Sequence, residues 1–124
     1  MTVRIEQEGN IWTVIHSRPE AKNAMDPESA KAMEQALIEF DDDVEARVAV
    51  LWGEGGAFCA GFDLKHAARG GGLDALAFPA DERSPIPRGP MGPTRLELDK
   101  PVIAAIAGPA VAGGFEIALW CDLR

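Results

Sequence analysis

The sequence predicts one α/β domain. Two apolar runs of strand length, Val48–Trp52 and Val102–Ala107, each lead through glycines into a helix start. A hairpin and an amphipathic helix precede them, so two strand–glycine-turn–helix units follow a ββα opening. The 124 residues suffice for one domain over 1–124, and the 47% hydrophobic content supports a core.

"VRIEQEGNIWTVIHS" predicts two strands turning at Gly9-Asn10, with Ile11, Thr13 and Ile15 alternating against Trp12, Val14 and His16. "RPEAKNAM" is polar and broken by Pro19, hence a loop. Asp26-Pro27 then supplies an N-cap and a first-turn proline, behind which Met33, Ala36, Leu37 and Phe40 recur at helical spacing. The run "DDD" reads as a solvated helix exit. Val48–Trp52 reads as a strand buried on both faces. "GEGGAFCAGFDLK" reads as a turn, a small-residue stretch and the start of a short helix. Residues 69–93, rich in glycine and proline and without a sustained period, read as a flexible loop of the kind that forms lids or binding segments. Val102–Ala107 is the second buried strand, and "GGFEIALWCD" a helix entered through glycine.

Twelve basic residues against twenty acidic ones leave a net charge of −8, which argues against a general nucleic-acid surface. One small anionic ligand stays compatible with it, because a local site can be positive on an acidic protein. The longest apolar run is too short to span a membrane, and the N-terminus has no basic-then-apolar signal pattern. Cys59 and Cys121, in apolar surroundings, read as buried free thiols in a reducing cytosol. With His16 and His66 they are too few and scattered for a metal cluster, so the expectation is a cytoplasmic protein without a metal.

The chemistry concentrates at the two glycine turns. A helix N-terminus offers unpaired N–H groups and partial positive charge, and glycine lets a ligand approach the backbone. Two such N–H groups converging from different turns, those of Phe62 and Gly113, would form an oxyanion hole. Glu116 follows Gly113 by three residues on the same helix face. Held there in apolar company, its carboxylate could act as a general acid or base. The alternatives are a helix-capping glutamate and a plain turn glycine, although the Ser or Thr that usually partners a capping glutamate is missing. A phosphate-cradling loop is weakly supported, since neither G-x-x-x-x-G-K-[ST] nor G-x-G-x-x-G occurs.

"SRPEAKNAMD", "GAFCAGFDLK" and "DKPVIAAIAGPAVAGGFEIALWCDLR", in this order and spanning the chain, resemble the enoyl-CoA hydratase/isomerase, or crotonase, superfamily. The resemblance implies a spiral of ββα units whose strands form two nearly perpendicular sheets. It implies that an acyl-CoA thioester carbonyl is held by the N–H groups of Phe62 and Gly113. Ala60, Phe62, Asp63, Leu64 and Lys65 match the segment lining the adenine and pantetheine pocket, and Lys22 and Ala24 match the loop on the other side of the coenzyme. For Lys22 and Lys65 a solvated surface lysine is the competing reading. Glu116 matches the first of two catalytic glutamates in members that hydrate 2-enoyl-CoA. Coenzyme A is part of the substrate, and no separate cofactor is implied.

The match also implies absences. At 124 residues the chain has roughly half the family's usual length, so it is expected to be the N-terminal part of the spiral. The second glutamate's motif and the helices that pack family trimers and hexamers are missing. The expectation is an acyl-CoA enzyme, a hydratase first, that cannot complete the reaction alone. The rivals are a non-catalytic acyl-CoA-binding fragment that pairs with a complementary C-terminal half, and another family reaction (isomerase, hydrolase or dehalogenase). Phe62 stands where many hydratases carry a small residue, which bears on that last choice.

Overall fold

The computed structural model describes residues 1–71 and 88–124. Strands β1 (Val3–Glu8) and β2 (Ile11–His16) form the expected hairpin, with Ile5 opposite Val14 and Gln7 opposite Trp12. Gly9 takes φ +60 at the first turn position, which matches the right-handed twist of the flanking strands. Helix α1 (Pro27–Asp42) starts as its sequence requires: the Asp26 side chain accepts a 2.8 Å hydrogen bond from the Ser29 amide, and Pro27 opens the first turn. Its buried stripe of Ala30, Met33, Ala36, Leu37 and Phe40 packs in one core with Trp12 and Val14 of β2. The Trp12 and Phe40 rings lie 5.9 Å apart and tilted by 58°.

The acidic run is more than a solvated exit. Asp41 accepts the amides of Asp99 and Lys100, and Asp43 accepts those of Glu45 and Ala46. The Lys100 ammonium donates to the Phe40 carbonyl and lies 5.5 Å from the Phe40 ring centroid. The end of α1 thus anchors the chain leading into the last strand.

β3 (Val48–Gly53) and β4 (Val102–Ala105) add in parallel, giving one four-stranded sheet in the order β1-β2-β3-β4. Both strands alternate between buried and half-buried residues, so neither is enclosed on both faces. β4 also stops at Ala105, and Ile106 and Ala107 are exposed. Among the described residues, the expected second sheet is reduced to isolated parallel bridges, Met25 with Phe62 and Cys59 with Ala110. Leu123 meets the outer edge of β4 in a further parallel bridge with Ile103.

Helix α2 (Leu64–His66) is short and runs into one wider helical turn, Ala67–Gly71, so residues 69–71 are helical rather than loop. Most of the predicted loop, residues 72–87, lies outside the described residues. Residues 88–93 make a turn closed by the Gly92 amide on the Gly89 carbonyl at 2.9 Å. Helix α3 (Gly113–Trp120) completes the second glycine unit. Cys59 and Cys121 are buried free thiols; burial raises both, and Cys121, with Asp122 beside it, is pushed up to about 12.

Candidate active site at the two glycine corners

Asn23 locks the first loop. It is fully buried, donates to the carbonyls of Glu54 and Ala57 at 2.8 and 2.7 Å, and accepts the Arg18 amide at 2.7 Å. Lys22 and Asn23 both sit in the left-handed region, φ 51 and 56, a costly arrangement that those bonds hold in place. Glu54 is gripped in turn by Arg4 and Ser17, whose hydrogen bonds bring its carboxyl down to about 2.

The locked loop lies beside the first glycine corner. The Met25 amide donates to Gly61, the Asp63 amide donates to Met25, and the Ala60 amide donates to Lys22. Arg18, which the sequence reading did not single out, ties these pieces together. Its guanidinium donates to the Ala24 carbonyl at 2.6 Å and to the Asp63 carboxylate at 3.0 Å, and lies 3.5 Å from Asp26. Asp63 also caps α2 through the Lys65 and His66 amides. Burial alone would raise Asp63, but the bonds from Arg18 and these amides outweigh it and hold the carboxyl below its ordinary range.

An open cleft of about 370 Å³ results, lined by Arg18, Glu20, Ala21, Ala24, Ala60, Phe62, Asp63, Leu64, Lys65 and Arg69. Six of the residues expected to contact coenzyme A meet there: Ala24, Ala60, Phe62, Asp63, Leu64 and Lys65. Lys22 does not line it; the side chain is exposed, and its carbonyl serves the loop-to-corner bond with Ala60. The Phe62 ring forms part of the wall and meets the His66 ring edge-on, with centroids 6.4 Å apart.

The two glycine corners adjoin. Gly61 has φ +101, and a Cβ built on it would lie 3.0 Å from the Ala112 Cβ and 3.4 Å from the Gly113 nitrogen. Standard bond lengths then keep the Phe62 and Gly113 amide nitrogens within about 7 Å of each other. Neither amide donates a backbone hydrogen bond among the described residues. The corners are riveted by Phe58 and Cys59 amides on the Pro109 carbonyl, and by the Val111 amide on Cys59.

Glu116 departs from expectation. It lies in the first turn of α3, three residues past Gly113, but it is exposed rather than enclosed by apolar neighbours. The reason is local: α3 buries Gly114, Ile117 and Ala118, while Phe115, Glu116 and Leu119 face outward together. Among the described residues, no group of three or more His, Cys, Asp or Glu side chains is placed to hold a metal ion. No helix there is long and apolar enough to cross a membrane.

The family model for enoyl-CoA hydratase/isomerase matches residues 6–124. The chain belongs to this family. Among curated members, it is 39% identical over 127 residues to the enoyl-CoA hydratase EchA19 of Mycobacterium tuberculosis, which covers 97% of this chain and 44% of that protein. It is 42% identical to a carnitinyl-CoA dehydratase of Salmonella paratyphi B, over 98% of this chain and 44% of the other. A crystal structure of an enoyl-CoA hydratase from Mycobacterium tuberculosis superposes with a TM-score of 0.82 at 40% identity, covering 98% of this chain and 44% of its own. The chain therefore spans a little under half the length of these family members, in keeping with its reading as an N-terminal half.

Proposed function

We propose that this chain is the thioester-binding half of an enoyl-CoA hydratase. The observation that carries the reading is the junction of the two glycine corners: the Phe62 and Gly113 amides, neither of which donates a backbone hydrogen bond among the described residues, lie within about 7 Å of each other, with Phe62 on the wall of the cleft. Two N–H donors aimed at a thioester oxygen stabilise the enolate-like charge that develops when water adds to the neighbouring double bond. Lys65 and Arg69 give the cleft cationic groups for the coenzyme's phosphates, and Ala24, Ala60 and Leu64 supply apolar wall. Glu116 is the acid–base group for water addition, one helical turn from Gly113.

The relatives' names support hydration over the other family reactions, since they pair hydration or dehydration with differing acyl groups on coenzyme A. A second acid–base group comes from the part of the domain that the longer members carry. That part also covers Ile106, Phe115 and Leu119, which are 41%, 55% and 52% exposed here. Coenzyme A arrives within the substrate, with no separate cofactor. Assembly as a homotrimer or hexamer is carried over from the family resemblance, and a cytoplasmic location from the reading of Cys59 and Cys121 as free thiols.

Calorimetric titration of the purified chain with crotonyl-CoA should give saturable binding that Lys65→Glu weakens by about tenfold. In an assembly that hydrates crotonyl-CoA, Glu116→Gln should lower turnover by about 100-fold or more while leaving binding intact. Absence of crotonyl-CoA binding at millimolar ligand, or an unchanged turnover in Glu116→Gln, would contradict the reading.

A further inference from the structure

Resting on the thioester-binding reading, we infer that Met91 is a positioning residue that aims the Gly113 N–H at the substrate carbonyl. The direction of that N–H is fixed by the Ala112–Gly113 peptide plane. Ala112 takes φ 51 and ψ −124, a conformation that alanine adopts only under constraint. No side chain caps the start of α3; the Ala112 carbonyl of that plane accepts from the Phe115 and Glu116 amides at 3.0 and 3.2 Å, and packing holds the plane from either side. On one side stands the Gly61 corner, where a built Cβ would come within 3.0 Å of the Ala112 Cβ. On the other stands Met91: the three atoms nearest a Cβ built on Gly113 all belong to this side chain, Sδ at 2.4 Å and Cγ and Cε at 2.8 Å. Met91 therefore lies in van der Waals contact with the Gly113 Cα.

Met91 is itself held. Gly92, at φ +99, presses its backbone against α1, and a Cβ there would lie 2.6 Å from the Ala30 carbonyl oxygen. The Arg88 guanidinium is paired with Glu34 of the same helix. Met91 is 3% exposed, so it does not line the substrate cleft; it acts through Gly113. Shortening it frees the strained Ala112 to relax, and the Gly113 N–H turns away from the carbonyl.

The test uses coenzyme A and cinnamoyl-CoA, whose conjugated carbonyl absorbs at longer wavelength when it accepts strong hydrogen bonds. The wild-type chain should bind both and red-shift the second. Met91→Ala should keep coenzyme A affinity within about twofold and lose at least about half of the red shift, and Met91→Leu should restore most of it. Met91→Val, which also withdraws the Sδ and Cε contacts, carries the same expectation should the alanine variant not fold. A full red shift in the shortened variants overturns the Met91 assignment alone. So does a parallel loss of shift and coenzyme A affinity, as a purely structural role requires. A wild-type chain that binds coenzyme A but produces no shift overturns the oxyanion reading, and the Met91 assignment with it.

Discussion

Gly114→Ala should destabilise the domain by about 3 kcal/mol or more, measured as a lower urea midpoint with an unchanged slope. A Cβ at this position would lie 2.0 Å from the Cys59 carbonyl oxygen and 2.8 Å from the Cys59 Cβ. Backbone cannot rotate away as a side-chain tip can, so the two corners must part and the bond from the Val111 amide to Cys59 must stretch. Gly9→Ala is the control. Unlike Gly114 it sits at positive φ, and nothing lies within 4 Å of its built Cβ, so only the left-handed penalty of about 1 kcal/mol applies. Equal costs at the two positions would show that close approach of the corners is not what Gly114 provides.

The second large effect is a loss of stability in mild acid, traced to His16. This residue is 2% exposed, and neither ring nitrogen has a hydrogen-bond partner among the described residues. Burial, helped by the charge of Arg18, lowers it to about 4 from 6.5. Between those values the unfolded chain takes up a proton that the folded chain refuses, so stability falls as pH drops from about 6.5 to 4 and is fully present above that window. The shift corresponds to roughly 3 kcal/mol at the lower end. His16→Leu keeps the volume and gives up no hydrogen bond, so it should remove this part of the acid sensitivity. Urea denaturation at pH 7 and pH 4.5 checks it: the variant's advantage should grow by roughly 2–3 kcal/mol at the lower pH. Parallel losses in both proteins would mean that His16 titrates normally. Glu54, held at about 2, titrates largely below this window and does not mask the effect.

The sequence was readable where local chemistry decides structure. Asp26 and Pro27 mark the start of α1, and Gly9-Asn10 marks the hairpin, because caps and turns depend on neighbouring residues. It was misleading where burial depends on distant chain. Apolar runs suggested strands enclosed on both faces, yet β3 and β4 alternate, and Ile106 and Ala107 continue the composition of β4 without its pairing. Glu116 was legible by position but not by environment, since whether a helix face is covered is a tertiary property. Arg18 stayed hidden for a related reason. One arginine in a polar loop carries no pattern, and its role appears only when Asp63, 45 residues away, comes within 3.0 Å.

In the proposed function two amides act on one oxygen. Nitrogen-15-labelled chain titrated with crotonyl-CoA and, separately, with coenzyme A tests it most directly by nuclear magnetic resonance. The amide protons of Phe62 and Gly113 should both move downfield with crotonyl-CoA and move little with coenzyme A, which lacks the acyl carbonyl. Saturable crotonyl-CoA binding that moves only one of the two, or neither, would contradict the account.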